Sequence, residues 1–321
     1  MSDRIVVTGG AGFIGSNLVA ALNERGENTI LIVDDLAKDE KWKNLIGLDY
    51  DDFVDKDDFR IAIHHDTLTG VKAVFHLGAC SSTTEKDARF LADNNYRYTR
   101  DLCAWCLEKD IPFIYASSAA TYGDGSLGYS DEDESTVKLK PLNMYGYSKQ
   151  MFDLWALKHG VMDRVVGLKY FNVFGPGEDH KDDMRSVVNK AYDQIVQTGQ
   201  VKLFKSYKPE YKDGEQIRDF VWVKDAVKVT LFFYDHPRIA GLFNCGTGKA
   251  RSWNDLVKAV FAAMGRAPSI QYIEMPETLR EKYQYHTQAD TAKLRGAGYE
   301  EPMTELEEGI RQYVTEYLAR R

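Results

Sequence analysis

Tyr145 and Lys149 stand four residues apart at the head of a helix-like run. That offset puts a phenol and an ammonium on one helical face. A nearby cation favours the phenolate and lowers a tyrosine's pKa. Such a phenol can shuttle a proton near neutral pH, which an isolated one, with a pKa of about 10, does poorly. Upstream, the run Phe113-Ile114-Tyr115-Ala116 ends in Ser117-Ser118. A hydroxyl at the tip of a parallel strand points into the ligand crevice, so Ser118 is placed to hold the same substrate oxygen. By itself a Y-x-x-x-K spacing also fits the surface of an ordinary amphipathic helix. Its meaning depends on what surrounds it.

The strongest neighbour is at the start of the chain. Arg4-Ile5-Val6-Val7-Thr8 reads as a strand, and Gly9-x-x-Gly12-x-x-Gly15 follows before an amphipathic run to Glu24. Gly9 permits a tight turn out of the strand. Gly12 lets backbone approach a pyrophosphate, and Gly15 lets the helix pack closely on the strand. The helix N-terminus then presents free N–H groups to phosphates. A second apolar strand, 29–33, ends at Asp34, about twenty positions on, where a ribose hydroxyl is held in a dinucleotide fold. Three features in register point to a bound dinucleotide.

Strand-like runs at 4–8, 29–34, 50–54, 71–77, 112–117 and 165–170 alternate with helix-like runs at 14–24, 57–64, 87–108 and 148–158. This alternation predicts an α/β fold with a doubly wound, parallel, Rossmann-type sheet. Beyond residue 172 the pattern loosens. Helices are expected at 185–198, 223–234, 252–264 and 303–319, with short strands at 201–204, 219–222, 242–244 and 270–273. The expected division is a dinucleotide-binding domain over 1–172 and a smaller α/β substrate domain over 173–321, with interleaved segments.

A net charge of −8 over 321 residues argues against nucleic-acid partners, which would call for a basic face. No run approaches the length of a membrane span, and the first strand begins too early for a signal peptide. The expected location is the cytoplasm. Cys103 and Cys106 have redox-pair spacing but fall inside a helix, where they read as ordinary core residues. The histidines show no metal-binding spacing, so no metal is expected.

The glycine turn with Ser118, Tyr145 and Lys149 resembles the extended short-chain dehydrogenase/reductases that act on nucleotide sugars. The runs Gly78-Ala79-Cys80-Ser81-Ser82-Thr83-Thr84-Glu85, Asp93-Asn94-Asn95-Tyr96, Ala116–Gly123, Pro141–Lys149, Tyr170–Pro176, His180-Lys181 and Arg218–Val221 are similar to the branch that epimerises ADP-heptoses at carbon 6. The similarity extends to Tyr283-Gln284 and Thr287–Asp290, nearly the whole chain. It implies a bound nicotinamide dinucleotide, NADP with NAD as the alternative. Hydride leaves carbon 6 to give a ketone and returns to its other face. It implies a second base opposite Tyr145, at Lys181, which must lose its proton to act. Read bottom-up, Lys181 is an exposed lysine in a charged stretch.

The same resemblance carries further roles by position. Phe13 and Ile14 lie at the pyrophosphate turn, and Asp34 and Asp35 at the adenosine ribose. Lys41 and Lys56 would neutralise a 2′-phosphate, and Leu77, Gly78, Ala79, Cys80, Ser81 and Asn94 flank the cofactor. Lys149 orients the nicotinamide ribose. Asn172 and Val173 lie behind the substrate, while Phe204, Ser206, Arg218 and Tyr283 hold its ADP part. Arg218-Asp219 also has a plain reading as a surface ion pair. Asp35 stands where the family commonly has asparagine, and two carboxylates at a strand end disfavour a 2′-phosphate. Lys190 stands where histidine is expected and takes no role. The family forms ring-like homo-oligomers, which implies a pentamer, and its product enters the lipopolysaccharide core. A UDP-hexose 4-epimerase would not need Lys181. A 4,6-dehydratase would carry Asp-Glu where Ala119-Ala120-Thr121 stands, and a non-catalytic dinucleotide sensor would need neither Tyr145 nor Lys149.

Overall fold

Strands β1 (Arg4–Thr8) and β2 (Ile30–Asp34) are nearly continuous apolar runs, which marks strands buried on both faces. Side chains alternate across a strand, and the alternation is visible in the two cores. Ile5, Val7, Ile30 and Ile32 enter one core, and Val6, Leu31 and Val33 the other. In the computed structural model, which describes residues 3–36, 38–280 and 283–321, these strands sit in a larger sheet. Its other members are β3 (Asp52–Asp55), β4 (Val71–His76), β5 (Phe113–Ser118) and β6 (Val166–Tyr170). Beyond them come β7 (Asn172–Phe174), β8 (Val201–Phe204), β9 (Ile217–Trp222), β10 (Gly241–Cys245), β11 (Ala250–Ser252) and β12 (Ile270–Ile273).

Seven strands form one sheet in the order β10-β6-β5-β4-β1-β2-β3, every pair parallel. The order reverses between β1 and β4, and a crevice opens at their carboxyl ends. Helices Phe13–Glu24 and Val223–Asp235 cover one face; Lys56–His64, Tyr98–Glu108 and Met144–Lys158 cover the other. The fold is therefore the doubly wound, Rossmann-type α/β sheet with additional smaller sheets. Strand β10 reaches this sheet from far along the chain, so segments on either side of position 172 interleave.

A second core lies across the crevice. The three-stranded sheet β11-β9-β7, the pair β12-β8 and helices Val187–Thr198, Trp253–Ala263 and Leu306–Gln312 surround Phe174, Val188, Trp222, Val257 and Ile310. Phe13, at the head of the first helix, belongs to this second core and joins the two bodies.

Two local departures from the sequence reading bear on the site. The helix expected at 148–158 begins at Met144, because the Asn143 side chain caps it by accepting from the Gly146 N–H at 2.8 Å. The helix expected over 87–108 widens into a π-type turn at Ala92–Arg97. Such turns are frequent at functional sites, and here the buried Asn95 within it bonds Cys80 and Ser148.

Candidate active site

The glycine turn is as tight as its spacing implies. Gly9 has φ of +69°, and a Cβ on Gly15 would lie 2.0 Å from the Gly9 carbonyl oxygen. Neither position accepts a larger residue without moving the turn. The helix that follows has no acidic residue in its first turn, leaving its N-terminus attractive to phosphate. Asp34 closes the turn by accepting from the Ala11 N–H at 2.9 Å, and it also pairs with Lys41 at 3.2 Å. Asp35 pairs with Lys56 at 2.8 Å. Both lysines named for a 2′-phosphate thus stand beside the carboxylates that would repel one. Asp34, Asp35, Lys41, Lys56 and Asn94 share a small cavity of about 160 Å³.

At the tip of β5, Lys149 reaches back along its helix and donates to the Ala116 carbonyl at 2.8 Å. Tyr145 lies one turn earlier, and the Ser118 hydroxyl acts on its phenol. The expected lowering of the Tyr145 phenol is not found. Burial raises it, and the neighbouring Ser118 hydroxyl only partly offsets the rise. Burial instead brings the Lys149 amine down to about 8. The ammonium is spent on a backbone carbonyl and on Asp153, not on the phenol.

A chain of residues that the sequence reading passed over holds this arrangement together. The Gly78 N–H donates to Thr8 Oγ1 at 3.1 Å, and Thr8 Oγ1 lies 2.7 Å from His76 Nδ1. On the other side of the ring His76 Nε2 is 2.8 Å from Thr99 Oγ1, which donates to the Asn95 carbonyl. The pattern gives a neutral ring protonated on Nε2. Burial agrees, pushing the His76 pKa down to about 3. Asn95 then clamps the loop after β4 to the Tyr145 helix. It accepts from the Cys80 N–H and donates to the Cys80 carbonyl, both at 2.9 Å, and donates to Ser148 Oγ at 3.0 Å. A polar residue at the end of an otherwise apolar strand, as in Val74-Phe75-His76, was the available signal.

Lys181 sits on a short 3₁₀ segment, Asp179–Met184, followed by Asp182 at φ +46°, a conformation few non-glycine residues adopt. Its amine is 5.5 Å from the centre of the Phe13 ring, and burial lowers its pKa. The plain expectation of a solvent-exposed lysine is therefore not met. The segment is anchored by Glu178, a buried carboxylate that accepts from Ser186 Oγ at 2.7 Å and the Ser186 N–H at 2.5 Å.

A cavity of about 620 Å³ collects most of these groups. Gly9, Gly12, Phe13, Ile14 and Gly15 line one end, with Leu77, Gly78, Ala79, Cys80 and Ser81 alongside. Ser118, Tyr145, Lys149, Asn172, Val173 and Lys181 line the middle. Across Val187 and Trp253 lies a second, more apolar cavity of about 550 Å³ that includes Phe204, Tyr283 and Lys190. Arg218 and Ser206 line neither of these two cavities. The Arg218 guanidinium is buried between the rings of Trp253 and Tyr283, at 5.5 and 5.2 Å, and donates to the carbonyls of Ile217 and Gln284. Asp219 beside it is buried too and accepts from Thr247, Gly248 and Ala289, so the surface ion-pair reading does not hold. Cys103 and Cys106 are buried in the helix core, where burial pushes the Cys103 thiol up to about 12.

Comparison with known proteins agrees with this geometry. Residues 5–246 match the NAD dependent epimerase/dehydratase family. The chain is 58% identical over 315 residues to an ADP-L-glycero-D-manno-heptose-6-epimerase of Nitratidesulfovibrio vulgaris, covering 98% of each protein. Its fold overlays the crystal structure of the Helicobacter pylori ADP-L-glycero-D-manno-heptose-6-epimerase with a TM-score of 0.84 at 29% identity, covering 99% of this chain and 97% of the other. It overlays a Thermus thermophilus UDP-glucose 4-epimerase in complex with NAD with a TM-score of 0.76 at 26% identity, covering 97% of each.

Proposed function

The chain belongs to the NAD dependent epimerase/dehydratase family, and we propose that within it the reaction is inversion of carbon 6 of an ADP-linked heptose. The observation that carries this reading is that Lys181 and Tyr145 line one cavity from different elements, with Ser118 at the tip of β5 lining it too. Inversion of a carbinol needs proton transfer on two sides of one carbon, and two separated groups meet that need. The glycine cradle, the helix N-terminus and the ribose-side carboxylates fit a dinucleotide, since a Cβ at Gly15 would fill the space that the turn needs. Held at the Gly9–Gly15 turn, a nicotinamide dinucleotide would supply the acceptor, and then the donor, of one hydride at carbon 6.

The chain's own residues do the rest. Burial holds the Tyr145 phenol protonated, ready to deliver a proton to the alkoxide oxygen on its side. Burial shifts the Lys181 amine toward its neutral form, which can take the hydroxyl proton on the other side. Ser118 holds the oxygen beside Tyr145. Lys149, anchored on the Ala116 carbonyl, orients the cofactor ribose in this reading. The apolar cavity bounded by Phe204, Trp253 and Tyr283 suits the adenine end of the substrate, and Lys190 at its rim suits a phosphate. NADP is the proposed cofactor, supported by Lys41 and Lys56 in the small cavity.

The test is incubation of the purified protein with each ADP-heptose epimer, and separately with UDP-glucose, followed by NMR. Interconversion of the ADP-heptoses supports the reading. Turnover of UDP-glucose alone overturns the substrate assignment, and no turnover of either overturns the catalytic one.

A further inference from the structure

Beneath the candidate site lies a second set of charges that the reaction above does not use. Asp153, one turn beyond Lys149, and Lys169 on β6 are wholly buried, with Nζ 3.7 Å from Oδ2. Asp153 accepts from the Tyr115 hydroxyl at 2.8 Å and the Ser117 hydroxyl at 2.7 Å. Lys169 pairs in register with Ser117 and donates to Thr121 Oγ1 at 2.8 Å. Thr121 in turn donates to the Ser118 carbonyl at 2.8 Å. With Lys149 bonded to the Ala116 carbonyl, three consecutive residues at the tip of β5 are each held by a different charged side chain, directly or through Thr121. A buried ion pair is weak evidence for a stability role, because an apolar replacement is often as stable. Its value here is geometric: its hydrogen bonds go to β5, at Tyr115 and Ser117, and to Thr121, which bonds the Ser118 carbonyl.

We propose that Asp153 and Lys169 form a buried brace that positions Ser118 and Lys149 for proton transfer at Tyr145, an inference that rests on the roles assigned to those three groups above. Misplacement of a reacting group by about 1 Å can cost roughly a hundredfold in rate. The groups acting on the Lys149 amine are Asp153 on its own helix and Cys80 from the loop after β4, while Lys149 in turn lowers the pKa of His76 on β4. Only Asp153 both opposes the effect of burial on Lys149 and belongs to the brace.

The experiment compares Lys169→Met, Lys169→Arg and the double variant Asp153→Asn/Lys169→Met with the wild type, all as holoenzyme. Removing one charge leaves the other unpaired in the interior, so the double variant, which removes both, guards against loss of folding. It is expected to melt cooperatively, to keep KM within about threefold, and to lose roughly 10- to 100-fold in kcat. The high-pH limb of its kcat profile moves to lower pH, since Asp153 no longer favours the Lys149 ammonium. Lys169→Arg, which keeps charge and donors, is expected to recover most of the activity lost in Lys169→Met. A double variant with wild-type kcat and an unmoved limb overturns the proposal. So does a loss of kcat with an unmoved limb and no recovery by arginine, which marks a purely structural pair. If the wild type does not convert ADP-heptoses, the proposed reaction fails separately. NMR titration of the Lys149 Cε resonance then reads the brace: a lower midpoint in the double variant supports it, and an unchanged one overturns it.

Discussion

Lys181 Nζ lies 5.5 Å from the centre of the Phe13 ring, so the proposed second base rests on the first residue of the helix that follows the glycine turn. That contact joins the 3₁₀ segment Asp179–Met184 to the helix after the glycine turn. Lys181→Met is expected to lower kcat by about 10²- to 10⁴-fold with the melting temperature unchanged. Lys181→Arg is not expected to restore turnover, because a guanidinium does not give up its proton. NMR of ADP-heptose interconversion checks both; wild-type rates in either variant remove Lys181 from the chemistry.

Tyr145→Phe removes the phenol hydroxyl while leaving the ring in place in the cavity. We expect a loss of about 10²- to 10⁴-fold in kcat and cofactor affinity close to wild type. Titration calorimetry with the dinucleotide separates the two effects. A variant that turns over normally would show that another group moves the proton.

A methyl group on Gly15 would sit 2.0 Å from the Gly9 carbonyl oxygen, which is backbone and cannot rotate away. Gly15→Ala is expected to cost about 1–3 kcal/mol in urea unfolding and to weaken dinucleotide binding. Gly296, in the short helix Ala292–Gly296, meets nothing within 4 Å. Gly296→Ala is expected to gain about 0.5–1 kcal/mol from reduced unfolded-state freedom. Equal effects at the two sites would contradict the packing argument.

His76 makes stability depend on acid. Its pKa falls from the ordinary 6.5 to about 3 in the folded chain. Above 6.5 the ring is neutral in both states and its contribution is complete. As pH drops from 6.5 toward 3 only the unfolded chain takes up the proton, so stability declines by about 1.4 kcal/mol per unit. Asp131, raised by burial to about 6, works the other way over part of this range. The informative quantity is therefore the slope difference between wild type and His76→Gln. Urea unfolding from pH 7 to 4 should show a shallower decline in the variant. Parallel slopes would mean that the ring is protonated in the folded chain.

Asp35→Asn releases Lys56 from its 2.8 Å pair and removes one of two carboxylates from the ribose end of the cradle. The ratio of affinities for NADP over NAD is expected to rise by about tenfold. Titration with both dinucleotides checks it; an unchanged ratio would place the 2′-phosphate away from these side chains.

Part of the site was legible from spacing alone. The strand that runs into Gly9, Gly12 and Gly15, and the i,i+4 offset of Tyr145 and Lys149, are local facts, and the structure reproduces both. The effect of Lys149 on Tyr145 was not legible, because it depends on where the ammonium finds its partners, and these are Ala116 and Asp153. Asn95, His76 and Glu178 were passed over for a related reason. Each is an ordinary polar residue in the sequence and acquires meaning only from the burial around it.

Periodicity and turn chemistry, which act over a few residues, settled that this chain builds a parallel α/β sheet with a tight glycine turn after its first strand. The tertiary structure alone decided that β10 returns to that sheet, that Lys181 leans on Phe13 instead of facing water, and that Lys169 lies opposite Ser117 over Asp153. Those outcomes depend on contacts between residues far apart in the chain. Desolvation and charge pairing act through space, and no short window of sequence contains them.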